Sequence, residues 1–306
     1  MLSEHQKYKA RTLQRLIHSA HIGTGKTLVM GVLNVTPDSF SDGGLYIDVP
    51  TAVAHSIEMV ENGADIIDIG GESTRPATFQ SSGKLTAAEE IMRILPVIEA
   101  LTRAAPDIPI SIDTYRAATA RAAFNAGAVM INDVSAGRAD VGMPGVMAQF
   151  DAPVCLMHML GFPNDISTQP EYSDVTKDVM DHLTIQMGKL RDQGVLLENI
   201  VLDPGIGFGK SLNHNLQLLH ELPQLVSLGQ PVLVGTSRKS FIGSVLGGLQ
   251  SNDRLEGTAA TIALSIASGA SIVRVHDVRE MARVVKMTDT IVKFGHLDQV
   301  KSNRRN

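Results

Sequence analysis

Short apolar, β-branched runs recur along the chain, each followed by a longer stretch in which apolar residues return every three or four positions. The runs occupy 28–34, 65–70, 109–113, 128–134, 152–158, 199–203, 231–236 and 271–276. A continuous apolar run of this length reads as a strand buried on both faces, and the 3.6-residue spacing that follows belongs to a helix covering a sheet. Ile91, Ile94, Leu95, Ile98 and Leu101 form one such stripe, and Val278, Met281, Val284, Val285 and Val292 form another. The pairs Asn62-Gly63 and Ala126-Gly127 supply helix stops just ahead of two strands.

The strand ends recur about every 35 residues, close to the roughly 30 that a βαβ unit needs. Eight such units over about 250 residues predict an α/β fold of one kind: a single (β/α)8 TIM barrel with an N-terminal extension, in preference to an open doubly wound sheet. No linker, low-complexity tract or composition shift divides the chain. The barrel is therefore expected over residues 28–296, flanked by the extension at 1–27 and a basic C-terminal tail at 297–306. Within the extension, Leu13, Leu16, Ile17 and Ala20 predict the apolar face of a helix packed on the domain.

Composition removes several classes of partner. The 306 residues carry 27 Lys plus Arg against 32 Asp plus Glu, a formal charge of -5, with 4% aromatics and no Trp. Neither an electrostatic footprint for nucleic acid nor a base-stacking platform is present. The single cysteine, Cys155, has no partner for an internal disulfide and fits a reducing, cytoplasmic setting. The longest uncharged stretch, 257–273, is rich in Ser, Thr and Gly and is broken at Gly269, so no membrane span is expected.

Chemistry in such barrels sits where the strands end at their C-termini. Here the runs end in Asn34, in Gly71-Glu72-Ser73-Thr74-Arg75, in Asp113, in Asn132-Asp133, in His158, in Asp203, in Ser237-Arg238-Lys239, and in Arg274 with His276. A structural barrel has no need of carboxylates and amides beside Val and Ile on so many strands. Asp113, Asn132, Asp203 and Lys239 offer the acceptors and donors that suit a flat heterocycle with an amide and an amino group on one edge. Arg75, Arg238, Arg274 and His276 suit phosphate oxygens or a carboxylate. Together they point to a nucleotide-like or pterin phosphate.

Other motifs carry less. The segment AHIGTGKT at 20–27 looks like a phosphate loop, but it begins with Ala and precedes a strand where that mechanism requires it to follow one. The ten histidines include no HExxH pair, and His55, His182, His214 and His220 fall on helical faces. The glycine-rich run after Asp203 lacks GxGxxG spacing and is read as a loop that brings backbone close to a flat ligand.

At these residues the sequence resembles the dihydropteroate synthases of folate biosynthesis. The likeness rests on GVLNVTPDSFSDGG at 31–44, DIGGESTRP at 68–76, LDPGIGFGK at 202–210 and GTSRKSFIG at 235–243, with SIDT at 111–114, IND at 131–133 and RVHD at 274–277. It implies condensation of 6-hydroxymethyl-7,8-dihydropterin pyrophosphate with 4-aminobenzoate through a pterin cation, with Asp113, Lys239, Asp42 and Arg75 as catalytic residues. It also implies a pterin site of Asp113, Asn132, Val134, Met157, Asp203, Phe208, Lys239 and Arg274. Asn34, Arg274 and His276 are expected at the pyrophosphate, with Mg²⁺ held through Asn34. Phe40, Thr74, Arg75, Pro76, Phe208, Ser237 and Lys239 are expected around the aminobenzoate, its carboxylate near a helix that starts around Ser237. The loops at 36–44 and 73–82, rich in Gly, Ser and Pro, predict ordered binding in which aminobenzoate follows the pterin.

The family further implies a homodimer and a sulfonamide target, with small molecules as partners and neither nucleic acid nor membrane. A pterin-dependent methyltransferase shares the residues around Asp113, Asn132 and Asp203, but has no use for the STRP and SRKS loops. A catalytically silent pterin-binding barrel is the third reading, and intact Asn34, Asp113, Lys239 and His276 oppose it.

Overall fold

The computed structural model describes residues 2–36, 48–72, 85–162, 165–166 and 171–294. Among the described residues, ten strands run in chain order: β1 Leu28–Asn34, β2 Ile66–Gly70, β3 Ile110–Asp113, β4 Met130–Asp133, β5 Val154–Met157, β6 Gly161–Phe162, β7 Asp165–Ile166, β8 Ile200–Asp203, β9 Leu233–Val234 and β10 Ile272–Val275. All but β6 and β7 form one eight-stranded sheet in the order β8-β5-β4-β3-β2-β1-β10-β9. Every neighbouring pair in it is parallel. A parallel bridge from Leu202 to Val232 joins the two outer strands and closes the barrel. The pair β6 and β7 is an antiparallel ribbon just past the end of β5. All eight sequence-predicted strands are therefore present, each trimmed by a residue or more except the first.

The helices are α1 Glu4–His21, α2 Val49–Glu61, α3 Ala87–Ala104, α4 Ala117–Ala126, α5 Met143–Phe150, α6 Val175–Asp192, α7 Leu212–His220, α8 Leu222–Val226, α9 Ser240–Val245, α10 Leu255–Ala267 and α11 Val278–Val292. Helices α2 and α4 stop at Asn62 and Gly127, the positions marked by the two glycine pairs. In α11 the buried face is Val278, Met281, Val285 and Asp289, whereas Val292 is exposed. The predicted stripe thus runs one turn too far, because the last turn extends past the strand it covers. Asp289 takes the backbone N–H of Thr27 at 2.7 Å and its hydroxyl at 2.8 Å, which ties the last helix to the start of β1.

Helix α1 begins with a reciprocal capping box between Ser3 and Gln6. It lies across the N-terminal end of the barrel, opposite the strand ends that carry the chemistry. Gln6 donates to the Phe124 carbonyl at 2.7 Å, Lys9 to the Ile108 carbonyl, and Gln14 to the Asn199 side chain at 2.7 Å. Its buried apolar face is Ala10, Leu13 and Ile17; Leu16 is exposed and Ala20 only partly covered. The contact is a narrow stripe one turn earlier than the sequence pattern indicates, since a single helix laid on a barrel end buries one line of side chains. The tail at 297–306 lies outside the described residues.

Candidate active site

Side chains alternate between the two faces of a strand, so residues two apart on each barrel strand point into the same interior. That period brings Val32 and Asn34 from β1, Asp113 from β3, Asn132 and then Val134 from β4, Met157 from β5, Asp203 from β8, and Arg274 and then His276 from β10 onto one cavity of about 370 Å³. Gly207, Phe208, Gly235, Ser237, Arg238, Lys239, Ser240, Ser251 and Arg254 complete its wall. Val134, Met157 and Phe208 belong to a small apolar cluster with Tyr115 and Met159, separate from the main core. The cavity therefore has one greasy wall and a polar floor.

The floor is a charge network. Arg274 donates from Nε to Asp68 at 2.7 Å and from Nη2 to Asp113 at 2.8 Å. Asn132 donates from Nδ2 to the same Asp68 oxygen at 2.9 Å. Burial pushes the Asp113 carboxyl up to about 7 against the pull of Arg274, and neighbouring Asp68 adds to the rise. Its Oδ1 is sealed from solvent and accepts no hydrogen bond among the described residues. Burial also works against the Arg274 charge, yet Asp68 and Asp113 outweigh it and hold the guanidinium protonated above its ordinary range. Two of its nitrogens are committed to carboxylates, which leaves Nη1 free of that pair.

Asp203 ends β8, accepts from the Gly205 N–H at 2.7 Å, and is raised by burial with Lys239 opposing. Lys239 donates to the Ile206 carbonyl and sits 4.8 Å from the centre of the Phe208 ring. Burial lowers its pKa to about 8, with Asp203 holding it back. Lys239 reaches inward because the preceding Arg238 adopts φ 60°, which only the surrounding contacts sustain in a non-glycine residue. Those contacts are a two-pronged bond to Asp277, its N–H on Thr258, and its carbonyl on Arg254. Arg238, a sequence candidate for an anion, thus has much of its guanidinium engaged by Asp277.

The loop after Asp203 runs close under this wall. A Cβ on Gly205 would lie 1.8 Å from the His158 carbonyl oxygen, and one on Gly207 would lie 3.1 Å from the Lys239 stem, both at positive φ. Glycine is required there so that backbone and lysine can share the space. Lys210 anchors the loop from behind, bonding His158 Nδ1 at 3.0 Å and the Phe208 carbonyl at 3.1 Å. Burial drops His158 to about 2, with Lys210 adding to the effect, so the ring accepts from the lysine as a neutral imidazole.

Of the sequence-predicted site residues, Asn34, Asp113, Asn132, Val134, Met157, Asp203, Phe208, Ser237, Lys239, Arg274 and His276 all line the cavity. Phe40, Asp42, Thr74, Arg75 and Pro76 lie outside the described residues. The helix expected near Ser237 starts at Ser240, because the turn at Arg238 intervenes. The Ser237 hydroxyl instead meets the His276 N–H at 3.2 Å and Nδ1 at 3.1 Å. Sequence reasoning missed Asp68, which is buried behind the cavity. Its signal was a carboxylate in the middle of the apolar run IIDIG, two residues before Gly70 and so on the inward face.

The sequence pattern of the pterin-binding enzymes matches residues 30–276. A dihydropteroate synthase of Synechocystis sp. is 48% identical over 266 residues, covering 87% of this chain and 90% of the relative. The barrel superimposes on a dihydropteroate synthase from Clostridium difficile, solved in the presence of pteroic acid, with a TM-score of 0.80, 46% identity and coverage of 87% and 97% of the two chains. A Xanthomonas albilineans dihydropteroate synthase with 4-aminobenzoic acid gives a TM-score of 0.80 at 42% identity, over 87% of this chain and 93% of that one.

Proposed function

Since the chain belongs to the pterin-binding enzymes and, among them, to the dihydropteroate synthases, we propose how its strand-end residues divide the family's reaction. That reaction joins 6-hydroxymethyl-7,8-dihydropterin pyrophosphate to 4-aminobenzoate. The pyrophosphate leaves with the C–O bonding pair, the amine lone pair forms the new C–N bond, and the amine loses a proton. The observation that carries the assignment is the convergence of Asp113, Asn132, Asp203, Lys239 and Arg274 on one cavity beside an apolar wall.

Asp203 accepts from the pterin 2-amino group and the adjacent ring N–H, and Lys239 donates to the neighbouring carbonyl. Asn132 takes the opposite ring edge. Met157, Val134 and Phe208 hold the ring faces, and Arg274 lies against the ring with Nη1 available to the pyrophosphate together with His276. Asp113 is a carboxylate whose charge burial disfavours. A cation developing on the pterin relieves that cost only as the C–O bond breaks, so the interaction is stronger in the transition state than in the ground state.

Among the described residues no three His, Cys, Asp or Glu side chains converge as a metal cage. A single amide oxygen on Asn34, at the cavity wall with His276 and Arg274, suits Mg²⁺ that also carries phosphate and water oxygens. Bound there, Mg²⁺ would offset charge on the departing pyrophosphate. Asn34 would hold it through Oδ1.

For the second substrate, Phe208, Ser237 and Lys239 line the cavity, and Phe40, Thr74, Arg75 and Pro76 are the remaining proposed contacts, with Asp42 pairing Arg75. Binding is ordered: aminobenzoate and sulfonamides enter after the pterin pyrophosphate. Equilibrium dialysis checks this, and equally tight aminobenzoate binding to empty protein and to the pyrophosphate complex refutes it. A homodimer is supported by Leu264 on α10 and by Met287, Ile291 and Phe294 along and just past α11, all exposed apolar side chains on packed neighbouring helices. Sedimentation should give the dimer mass. A cytoplasmic location is supported by the lone buried thiol of Cys155. The decisive assay supplies both substrates and Mg²⁺ and follows dihydropteroate and pyrophosphate; release of neither overturns the assignment.

A further inference from the structure

We infer that Asp68 is a positioning residue that sets which oxidation state of the pterin the site accepts, by locking the Asn132 amide with its oxygen toward the ligand. The inference rests on the pterin placement proposed above.

Asp68 lies in the middle of β2, fully buried, and does not itself line the cavity. One of its oxygens, Oδ2, receives both Asn132 Nδ2 at 2.9 Å and Arg274 Nε at 2.7 Å. Two donors converging on one carboxylate oxygen leave no room for a proton on it, so this face of Asp68 can only accept. Rotating the Asn132 amide by half a turn would set its Oδ1 against that oxygen, two acceptors facing each other in a buried site. The amide therefore has one orientation. Its Oδ1 accepts nothing else among the described residues, and Asn132 lines the cavity.

That orientation has a chemical consequence. With Asp203 on the amino and N3 side of the pterin and Lys239 on the carbonyl, the edge left for Asn132 is the one bearing N1 and N8. In a 7,8-dihydropterin, N8 carries a hydrogen and N1 a lone pair. Asn132 then accepts from N8–H through Oδ1 and offers its second Nδ2–H to N1, matching both atoms. In a fully oxidised pterin, N8 has only a lone pair and faces the fixed Oδ1 with no hydrogen between them. A site whose polar group is left unpaired by one of two near-identical ligands discriminates against it. Asp68 enforces the choice without touching either ligand.

The test measures affinities of 6-hydroxymethyl-7,8-dihydropterin and oxidised 6-hydroxymethylpterin by anaerobic calorimetry on the full chain. Wild type should prefer the reduced ligand at least tenfold. Asp68→Ala frees the amide to rotate, and the preference should fall below threefold even if both affinities drop. Asp68→Asn keeps an acceptor oxygen for Asn132 and Arg274 and should retain the preference. A merely structural role for Asp68 would weaken both ligands alike and leave the ratio unchanged, which would overturn the inference. Wild-type protein that binds both ligands within threefold overturns it without any variant. Failure of wild type to bind either pterin overturns the pterin assignment itself and this inference with it.

Discussion

Asp113 is where stability and chemistry pull in opposite directions. Burial raises its carboxyl to about 7, well above the ~3.9 of an unfolded aspartate. The folded state therefore holds this proton more tightly than the unfolded chain, and the group's contribution to stability is full below about pH 4 and lost as the pH rises through about 7. Asp113→Asn, neutral at every pH, should melt higher than wild type at pH 8, with the gap narrower at pH 5 and closed only below about pH 4, which thermal scans across that range check. The same substitution should slow pyrophosphate loss roughly a hundredfold, the usual effect of deleting one electrostatic stabiliser worth about 3 kcal/mol. Lys239, lowered to about 8 by burial, must stay protonated to donate. The profile of kcat/KM for the pterin substrate should thus be bell-shaped, with an acid limb near 7 that disappears in Asp113→Asn and an alkaline limb near 8. An acid limb that persists unchanged in that variant would count against the role given to Asp113.

Among the elements, the junction of β2, β3 and α3 depends on one half-buried cation. Arg116, just before α4, donates from Nη1 to Glu72 at 2.8 Å and to Glu90 at 3.0 Å, and from Nη2 to the Leu85 carbonyl at 2.7 Å. A single guanidinium thus ties Glu72, just past β2, to Leu85 and Glu90 at the start of α3. Glu90 is sealed inside α3; burial raises its pKa while Arg116, Thr119 and Thr114 oppose the rise. Removing Arg116 would leave this carboxylate buried without a counter-ion, a loss of about 3–5 kcal/mol. Arg116→Met should therefore lower the melting temperature by roughly 10 °C, and Glu90→Gln in the same chain should recover part of it. Calorimetric scans decide, and a melting temperature unchanged by Arg116→Met would show the pair to be dispensable. Little in the local sequence signals this hub, because its members lie on three elements and no motif joins them.

At the scale of the whole molecule, the two ends of the barrel are assigned different tasks. Helix α1 closes the N-terminal end with Ala10, Leu13 and Ile17, while the cavity opens at the other end. Burying Leu13 and Ile17 contributes about 1.5–3 kcal/mol each as an upper range. Deleting residues 1–22 should accordingly lower the melting temperature while leaving pterin affinity within about threefold at 20 °C. Calorimetry on the truncated chain checks both halves, and loss of pterin binding in a still-folded truncation would mean that the two ends are coupled. Separation of stability from chemistry along the barrel axis is the general property of this architecture.

Periodicity and motif in the sequence determined the eight strands, the barrel, the family and most of the cavity wall. Strand period and strand-end placement are local properties, so Asn34, Asp113, Asn132, Asp203 and Arg274 could be aligned without knowing how the sheet closes. The tertiary structure alone decided which side chains meet across strands. Asp68 and Arg274 are 206 residues apart in sequence, and their contact exists only because β10 returns beside β1, which in turn lies beside β2. The turn at Arg238 that moves the helix start to Ser240, and the line of α1 that reaches the barrel, were likewise decided by packing. The physical reason is the same throughout: hydrophobic pattern specifies what an element buries, whereas hydrogen bonds and charge pairs between elements depend on register and distance, which no one segment contains.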